Sequence, residues 1–486
     1  MLNNLRSMLL NFGKYSTFFL LLVGLNANIA HSDDSLPELG DPYSKILSLE
    51  NERQIGISSY HRLQQVNAIN NNPLVSSYIN YLGNLLSRNL LDDNRKYVFF
   101  VVNSNQINAF AIPGGYIGLN AGLILLTENE AQLASVVAHE ISHIKLRHTA
   151  EMIANSSRNS IPTWIGIFAG IFSGNPQASI AALQTGLGIT MQKNINLIRS
   201  NEVEADTLGL KILENSNFDN TQMSKLFELM QSATGDVQKN LAYLSTHPMF
   251  EERIANTKNR SSSLSDTMTN SSMDYFFIKN ILLANQEIDI SGEIKSSSNS
   301  TLISRHKLAL LYQKKSSFKK SLEILKNDVK NKSNIYITIA YVDSLIGAGK
   351  IDDAIDLITN TMNLNPLNRI LPIKLAEIYA DYKNGSENAI GLMENNKKYY
   401  KHNPDFHRLL SKLYAQENNI YKSSVHLSDY YVLLNNTRLA IDVLENASKS
   451  DEITQNQRQR VLDKKQDILC TYRKPLEPIF GEKTCN

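Results

Sequence analysis

Residues 127–143 read TENEAQLASVVAHEISH, and they place two histidines four residues apart within a helical pattern. The first four residues have the spacing of an N-terminal capping box. After them, apolar residues recur every three or four positions, at Leu133, Val136, Val137, Ile141 and Ile144. This period predicts an amphipathic helix over about 128–157, with His139 and His143 on one face and one turn apart.

That face carries the residue types of a metal site. Two imidazoles one helical turn apart can bind one zinc ion, and the adjacent Glu140 can act as a base toward a water molecule. The alternative is a solvated polar face, but a chance match to this pattern is rare in a chain of 486 residues. A catalytic zinc also needs a third protein ligand.

An acidic segment downstream supplies candidates for that ligand. Glu202 and Asp206 are four residues apart and would share a helix face, whereas Glu204 would lie nearly opposite Glu202. Glu202 can therefore bind the metal while Asp206 hydrogen-bonds a ligand imidazole. His148 follows His143 by five residues, about 140° around the predicted helix, so we expect it to point elsewhere.

Strand signals precede the predicted helix. Residues 97–102 form a short apolar run, and residues 109–112 and 116–120 flank the turn signal Pro113-Gly114-Gly115. Short strands that lead into a long helix predict a mixed α and β structure for the first half of the chain.

Residues 161–191 are apolar but are interrupted by Ser173-Gly174-Asn175-Pro176. As a helix, the piece before the interruption would rise only ~18 Å, which is short of the ~30 Å hydrocarbon core of a bilayer. We expect a buried core helix here. The alternatives are a mobile flap or a peripheral contact with a membrane surface.

Length and charge bound the class of protein. The 486 residues suffice for two or three domains, and 49 Lys and Arg balance 47 Asp and Glu, so nothing argues for a nucleic-acid partner.

Residues 1–32 predict a cleaved signal peptide, with an uncleaved anchor as the alternative. In an exported chain, Cys470 and Cys485 suggest one disulfide, which would close a short loop of the C-terminal tail, 471–486; two free thiols are the alternative.

The C-terminal half has a different organisation. Serine-rich stretches at 261–273 and 296–301 predict a linker region, 261–301, around a short helix at 274–285. In residues 302–470, small residues 12 apart recur in units of about 34 residues, which resembles tetratricopeptide repeats. An ordinary helical bundle is the alternative.

Several segments together carry a family resemblance. They are the HExxH pattern, the distant Glu202 and Asp206, the segment 108–115 (NAFAIPGG), and Thr246-His247-Pro248 with Arg253 downstream. In combination they resemble the M48 zinc metallopeptidases over about residues 40–470. The signal peptide and the repeats resemble periplasmic members of that family. The resemblance implies an α+β zincin-like metallopeptidase domain over 40–260, followed by an all-α tetratricopeptide-repeat superhelix over 302–470.

The resemblance also implies a role for each site residue by position. The ligands of one Zn²⁺ per chain would be His139, His143 and Glu202. Glu140 would be the catalytic base. Asp206 matches a family proton donor, although its place four residues after Glu202 equally suits a hydrogen bond to a ligand. His247 matches a loop residue that can cap the zinc and keep the enzyme latent.

The implied function is zinc-dependent endoproteolysis in the periplasm. Its substrates would be unfolded or misassembled outer-membrane β-barrel proteins, whose assembly the chain would also assist through contacts of the repeats with the barrel-assembly machinery. A substrate strand could pair with an edge strand near residues 116–120. Two other classes stay open: a repeat-domain chaperone or adaptor with an inactive peptidase site, and a peptidoglycan-remodelling hydrolase.

Overall fold

The computed structural model describes residues 47–88, 90, 95–154, 195–233, 247, 251–261, 271–286, 289–298, 300–330, 334–382, 385–434 and 436–471. The predicted signal peptide, the apolar segment 161–191 and Cys485 lie outside these residues, so the interpretations of them stay predictions. Among the described helices, none is long and apolar enough to cross a membrane.

A three-stranded sheet forms the centre of the N-terminal half. Its strands are β1 (Val98–Val102), β2 (Ala109–Ile112) and β3 (Tyr116–Asn120), in the order β1-β3-β2. The strands lie where the sequence predicts them, because the turn between β2 and β3 is a local signal. Gly115 has a φ of 94°, and a Cβ there would lie 2.2 Å from the Lys96 carbonyl oxygen.

The pairing corrects one expectation. β3 pairs in parallel with β1 and antiparallel with β2, so both of its edges are occupied. The prediction of an edge strand near residues 116–120 is therefore wrong. Within the described ranges, no strand pairs with the outer edge of β2.

Nine helices of the described residues surround this sheet or continue from it. They are α1 (Leu49–Gln65), α2 (Pro73–Ser87), α3 (Ala121–Leu126), α4 (Glu130–Lys145), α5 (His148–Ala154), α6 (Ile195–Asn215), α7 (Gln222–Ala233), α8 (Glu251–Arg260) and α9 (Met273–Ala284). Helix α4 carries the HExxH pattern and packs against α2, α6, α7 and β2. Every residue from Glu130 to Ile144 is buried, so α4 is the central helix of the core.

Helix α4 differs from the prediction at both ends. Its N-cap is Asn129, whose side chain accepts a hydrogen bond from Gln132 N, whereas the Thr127 hydroxyl donates to the Ile124 carbonyl. The helix ends at Lys145, because Arg147 adopts a φ of 58°. The Arg147 side chain donates to Glu52 Oε1 and to the Leu47 carbonyl, at 2.8 and 2.6 Å. These contacts with distant residues stabilise the break, and α5 begins directly after it.

The C-terminal half of the described chain is helical. After a short helix α10 (Ile290–Ser296), the helices that follow are α11 (Leu302–Lys314), α12 (Phe318–Leu325), α13 (Ile335–Gly347), α14 (Ile351–Leu364), α15 (Ile370–Tyr382), α16 (Ser386–Tyr400), α17 (Pro404–Gln416), α18 (Ile420–Leu433), α19 (Thr437–Ser448) and α20 (Gln455–Thr471). Each packs against the next, as adjacent helices of a stack do.

Helix α9 contacts both halves of the molecule. The Tyr275 hydroxyl donates to the Thr127 carbonyl at 2.8 Å, just before α4. On another side of α9, the Phe277 ring stacks on Tyr336 of α13, with 4.8 Å between ring centroids. The helix predicted at 274–285 is thus present within the 261–301 region and is packed. The domain division itself stays a prediction.

Candidate metal centre

Helices α4 and α6 bring three predicted ligands together. Because His139 and His143 are one turn apart on α4, their Nε2 atoms lie 3.0 Å from each other. Glu202 on α6 reaches between them, with one carboxylate oxygen 3.4 Å from His139 Nε2 and the other 3.4 Å from His143 Nε2.

His247 completes the group as a fourth donor. Its Nδ1 lies 3.0 Å from Glu202 Oε1 and 3.4 Å from His139 Nε2. One ligand atom from each of the four side chains lies within 4.8 Å of all the others, and all four residues are buried. His247 is 45 residues from Glu202 in sequence, so only the fold places it here.

The donor set fits zinc. Tetrahedral zinc with bonds of roughly 2.0–2.2 Å separates neighbouring ligand atoms by about 3.3 Å. The five distances above span 3.0 to 3.4 Å. The surroundings also favour a cation: although burial lowers the pKa of His139, hydrogen bonds to Asp206 and Glu202 raise it to about 9. Imidazole nitrogens and a carboxylate oxygen are common zinc ligands.

Glu140 stands beside the four donors. Both of its carboxylate oxygens are buried and accept no hydrogen bond from the described residues, and His247 Nε2 is 3.5 Å from Oε1. Burial raises the pKa of the Glu140 carboxyl. A buried carboxylate without a fixed donor is suited to accept a proton from a water molecule or a substrate.

Asp206 lies behind His139 rather than among the ligand atoms. Its Oδ1 is 2.9 Å from His139 Nδ1, the ring nitrogen that faces away from the group. Arg253 donates to both oxygens of Asp206 at 2.8 Å and lies 2.6 Å from Glu202 Oε2. Burial by itself would raise the pKa of the Asp206 and Glu202 carboxyls, but the Arg253 charge and the neighbouring histidines together outweigh it, so the pKa of both carboxyls is lowered.

Arg253 and His148 are the residues whose roles sequence reasoning missed. Arg253 is one of the most buried side chains, with its guanidinium 4.7 Å above the Phe227 ring. His148 is not among the ligand group, as expected, but its Nδ1 lies 2.9 Å from His143 Nδ1. The break at Arg147 turns the chain so that His148 faces the back of His143. No local pattern in the sequence signals that break.

A buried pair of histidines on the central helix α4, completed by a glutamate from α6 and backed by a carboxylate, defines a zinc metallopeptidase. Residues 76–261 match the model of peptidase family M48. The chain is 30% identical to the beta-barrel assembly-enhancing protease of Yersinia pestis over 398 residues, which cover 79% of this chain and 82% of that protein. The chain belongs to peptidase family M48 and is a zinc metalloendopeptidase.

Other relatives match over shorter stretches. The beta-barrel assembly-enhancing protease of Escherichia coli (strain K12) is 35% identical over 252 residues, which cover 51% of this chain and 52% of that protein. The mitochondrial metalloendopeptidase OMA1 of Schizosaccharomyces pombe is 33% identical over 159 residues, 33% of this chain and 45% of that protein. The matched part thus spans about half the length of these relatives.

Proposed function

We propose that the chain is a periplasmic endopeptidase that degrades misassembled outer-membrane β-barrel proteins and assists their assembly. The observation that carries the proposal is the buried Glu140 carboxylate, which accepts no hydrogen bond from the described residues and stands beside four metal-binding side chains. The names of the relatives from Yersinia pestis and Escherichia coli support the substrate class.

The residues divide the chemistry between them. Bound zinc would be held by His139, His143 and Glu202, and it would supply a Lewis acid and a lowered pKa for water. Glu140 accepts the proton of the water that attacks the peptide carbonyl, and its raised pKa suits that transfer. The Arg253 charge contributes, with the neighbouring histidines, to the lowered pKa of Glu202, which stays ionised and able to bind the metal.

Asp206 acts in this proposal as a positioning residue. Its oxygens are directed at His139 and at Arg253, so it fixes the orientation of the imidazole. The role of proton donor, which the family resemblance offers, would require Asp206 to reach the substrate. Its contacts behind His139 favour the positioning role.

His247 acts as a latent cap. Because its Nδ1 lies as close to Glu202 and His139 as a further zinc ligand would, its imidazole is placed to occupy the position that water needs. A substrate must then displace His247 before cleavage. The competing role is stabilisation of the transition state.

Substrate binding uses the outer edge of β2. Since β3 is fully paired, a substrate strand can add to the sheet at β2, which packs directly against α4. Main-chain hydrogen bonds to residues 109–112 would then hold the scissile bond near the metal. The stacked helices over 302–470 form tetratricopeptide repeats in this proposal, with first helices that begin 33 to 35 residues apart, and they bind substrate or the barrel-assembly machinery.

The test compares wild type with Glu140→Gln at equal zinc content. Wild type should cleave an unfolded outer-membrane barrel protein faster than its folded form, and a zinc chelator should stop the cleavage. Glu140→Gln should bind zinc normally and should not cleave. Equal cleavage by both proteins would refute the role of Glu140. If wild type does not cleave at all but still prevents aggregation of the unfolded barrel, the chain is a chaperone with an inactive site.

A further inference from the structure

A second group of metal-binding side chains lies far along the chain from the peptidase site, between α17 and α18. His407 on α17 and His426 on α18 are both buried, and their Nδ1 atoms lie 3.1 Å apart. Asp429 follows His426 by one helical turn, and its Oδ2 is 3.6 Å from His407 Nδ1. One donor atom from each residue lies within 4.8 Å of the other two.

The contacts of the two Nε2 atoms indicate that the Nδ1 atom of each ring carries a lone pair, which is directed at the other ring. His407 Nε2 lies 3.1 Å from the Lys401 carbonyl oxygen, which can only accept, so Nε2 carries the proton and Nδ1 keeps its lone pair. His426 Nε2 faces Glu394 Oε1 at 3.7 Å, which favours a proton on that nitrogen as well. Two Nδ1 lone pairs then face each other, and a cation between them removes the repulsion.

These outer contacts are also those of metal-bound histidines. Ligating imidazoles commonly donate their other ring N–H to a backbone carbonyl or a carboxylate, which fixes the ring. Tyr414 holds Glu394 in place through a 2.9 Å hydrogen bond and stacks flat on His426, with 4° between the rings. The two rings are therefore oriented before any ion binds.

Distances and charge identify the class of ion. A separation of 3.1 Å between the Nδ1 atoms is near the value of about 3.3 Å for two imidazoles on one tetrahedral zinc. Lys464 contacts Asp429 Oδ1 at 2.6 Å, and Oδ2 remains directed toward His407. Two nitrogens and one carboxylate oxygen suit zinc and its neighbours in the transition series.

We propose that His407, His426 and Asp429 form a second zinc site, which binds divalent transition-metal ions and fastens α17 to α18. Asp429 is 30% exposed, so the ion can enter from solvent and can keep a water ligand. With three protein ligands, this site binds zinc more weakly than the four-donor peptidase site. Its ordinary alternative is a hydrogen bond between two histidine tautomers, in which His426 Nδ1 donates to His407.

The experiment measures zinc stoichiometry on the full chain. Metal-free protein is dialysed against increasing zinc, and bound zinc is counted for wild type, His407→Gln, Asp429→Asn and the control His402→Gln, whose histidine is exposed and five residues from His407. Wild type and the control should bind two ions. His407→Gln should bind one, and Asp429→Asn should bind the second ion at least tenfold more weakly.

A copper titration supplies a readout that does not depend on proteolysis. Once zinc fills the peptidase site, added Cu²⁺ should give an electron paramagnetic resonance signal with hyperfine coupling to two nitrogens, which His407→Gln should lose. One bound zinc in wild type, or two in His407→Gln with an unchanged copper signal, would overturn the proposal and leave the tautomer hydrogen bond as the explanation. Circular dichroism of each variant verifies that it is folded.

Discussion

Replacement of Asp206 by asparagine separates a positioning role from a proton-donor role. The carboxylate lies 2.9 Å from His139 Nδ1 and accepts two hydrogen bonds from Arg253 at 2.8 Å. An asparagine of the same shape keeps one acceptor oxygen but directs an NH₂ group at either His139 or Arg253. Hence one contact of the charged carboxylate with an N–H group is replaced by two N–H donors that face each other, which is unfavourable.

The magnitude follows from that geometry. Loss of the partner behind a metal-bound histidine typically weakens metal affinity about 10- to 100-fold, which is roughly 1.4 to 2.8 kcal/mol. We therefore expect Asp206→Asn to raise the zinc Kd by this factor. The measurement is competition for zinc with a chromophoric chelator, followed by proteolysis assays on variants saturated with zinc. Glu204→Gln is the control, because Glu204 is on the same helix and is exposed.

The opposite pattern would refute the reasoning. If Asp206 donates a proton to the leaving group, the variant should keep wild-type zinc affinity and lose cleavage more than 100-fold at full zinc occupancy. An unchanged zinc Kd in Asp206→Asn, with Glu204→Gln also unchanged, would show that the contact with His139 does not support the metal.

Four more outcomes are expected. His247→Ala should raise proteolysis severalfold at matched zinc content, because it removes the cap; a slower rate would support a transition-state role instead. Glu202→Gln should lose zinc and cleavage together, and equal zinc loss in Glu204→Gln would contradict the ligand assignment. Burial lowers the pKa of His306 to about 3. Below pH ~6.5 the histidine is therefore protonated in the unfolded chain but stays neutral in the folded chain. Between pH 7 and 5, the free energy of unfolding of wild type should fall by about 2 kcal/mol relative to that of His306→Asn, as measured by urea unfolding. Limited proteolysis should cut within 261–301 and leave two protected fragments, and a resistant chain with no cut there would contradict the domain division.

Local signals account for what could be predicted. The bounds of β2 and β3 follow from apolar runs around a glycine turn, and the shared face of His139 and His143 follows from helical geometry alone. A catalytic zinc site needs only one more protein ligand, for which the sequence offered Glu202.

Contacts between residues that are distant in sequence account for the features that could not be predicted. Helix α4 stops early because Arg147 binds Glu52, 95 residues away in sequence. The central place of β3 depends on pairing with two other strands, which no run of residues encodes by itself. Arg253 belongs to the family resemblance in the sequence, but its burial between Asp206 and Glu202 follows only from the packing of α8 against α6 and α7.

Helix α9 gives the molecule a mechanical linkage. Glu130, in the first turn of α4, accepts hydrogen bonds from the backbone and side chain of Ser272 at 2.6 and 2.7 Å, while Phe277 of α9 stacks on Tyr336. His139 is nine residues farther along α4, about 14 Å of rigid helix. A displacement of the C-terminal helices would therefore be transmitted through α9 to the first turn of α4, the helix that carries the zinc ligands His139 and His143.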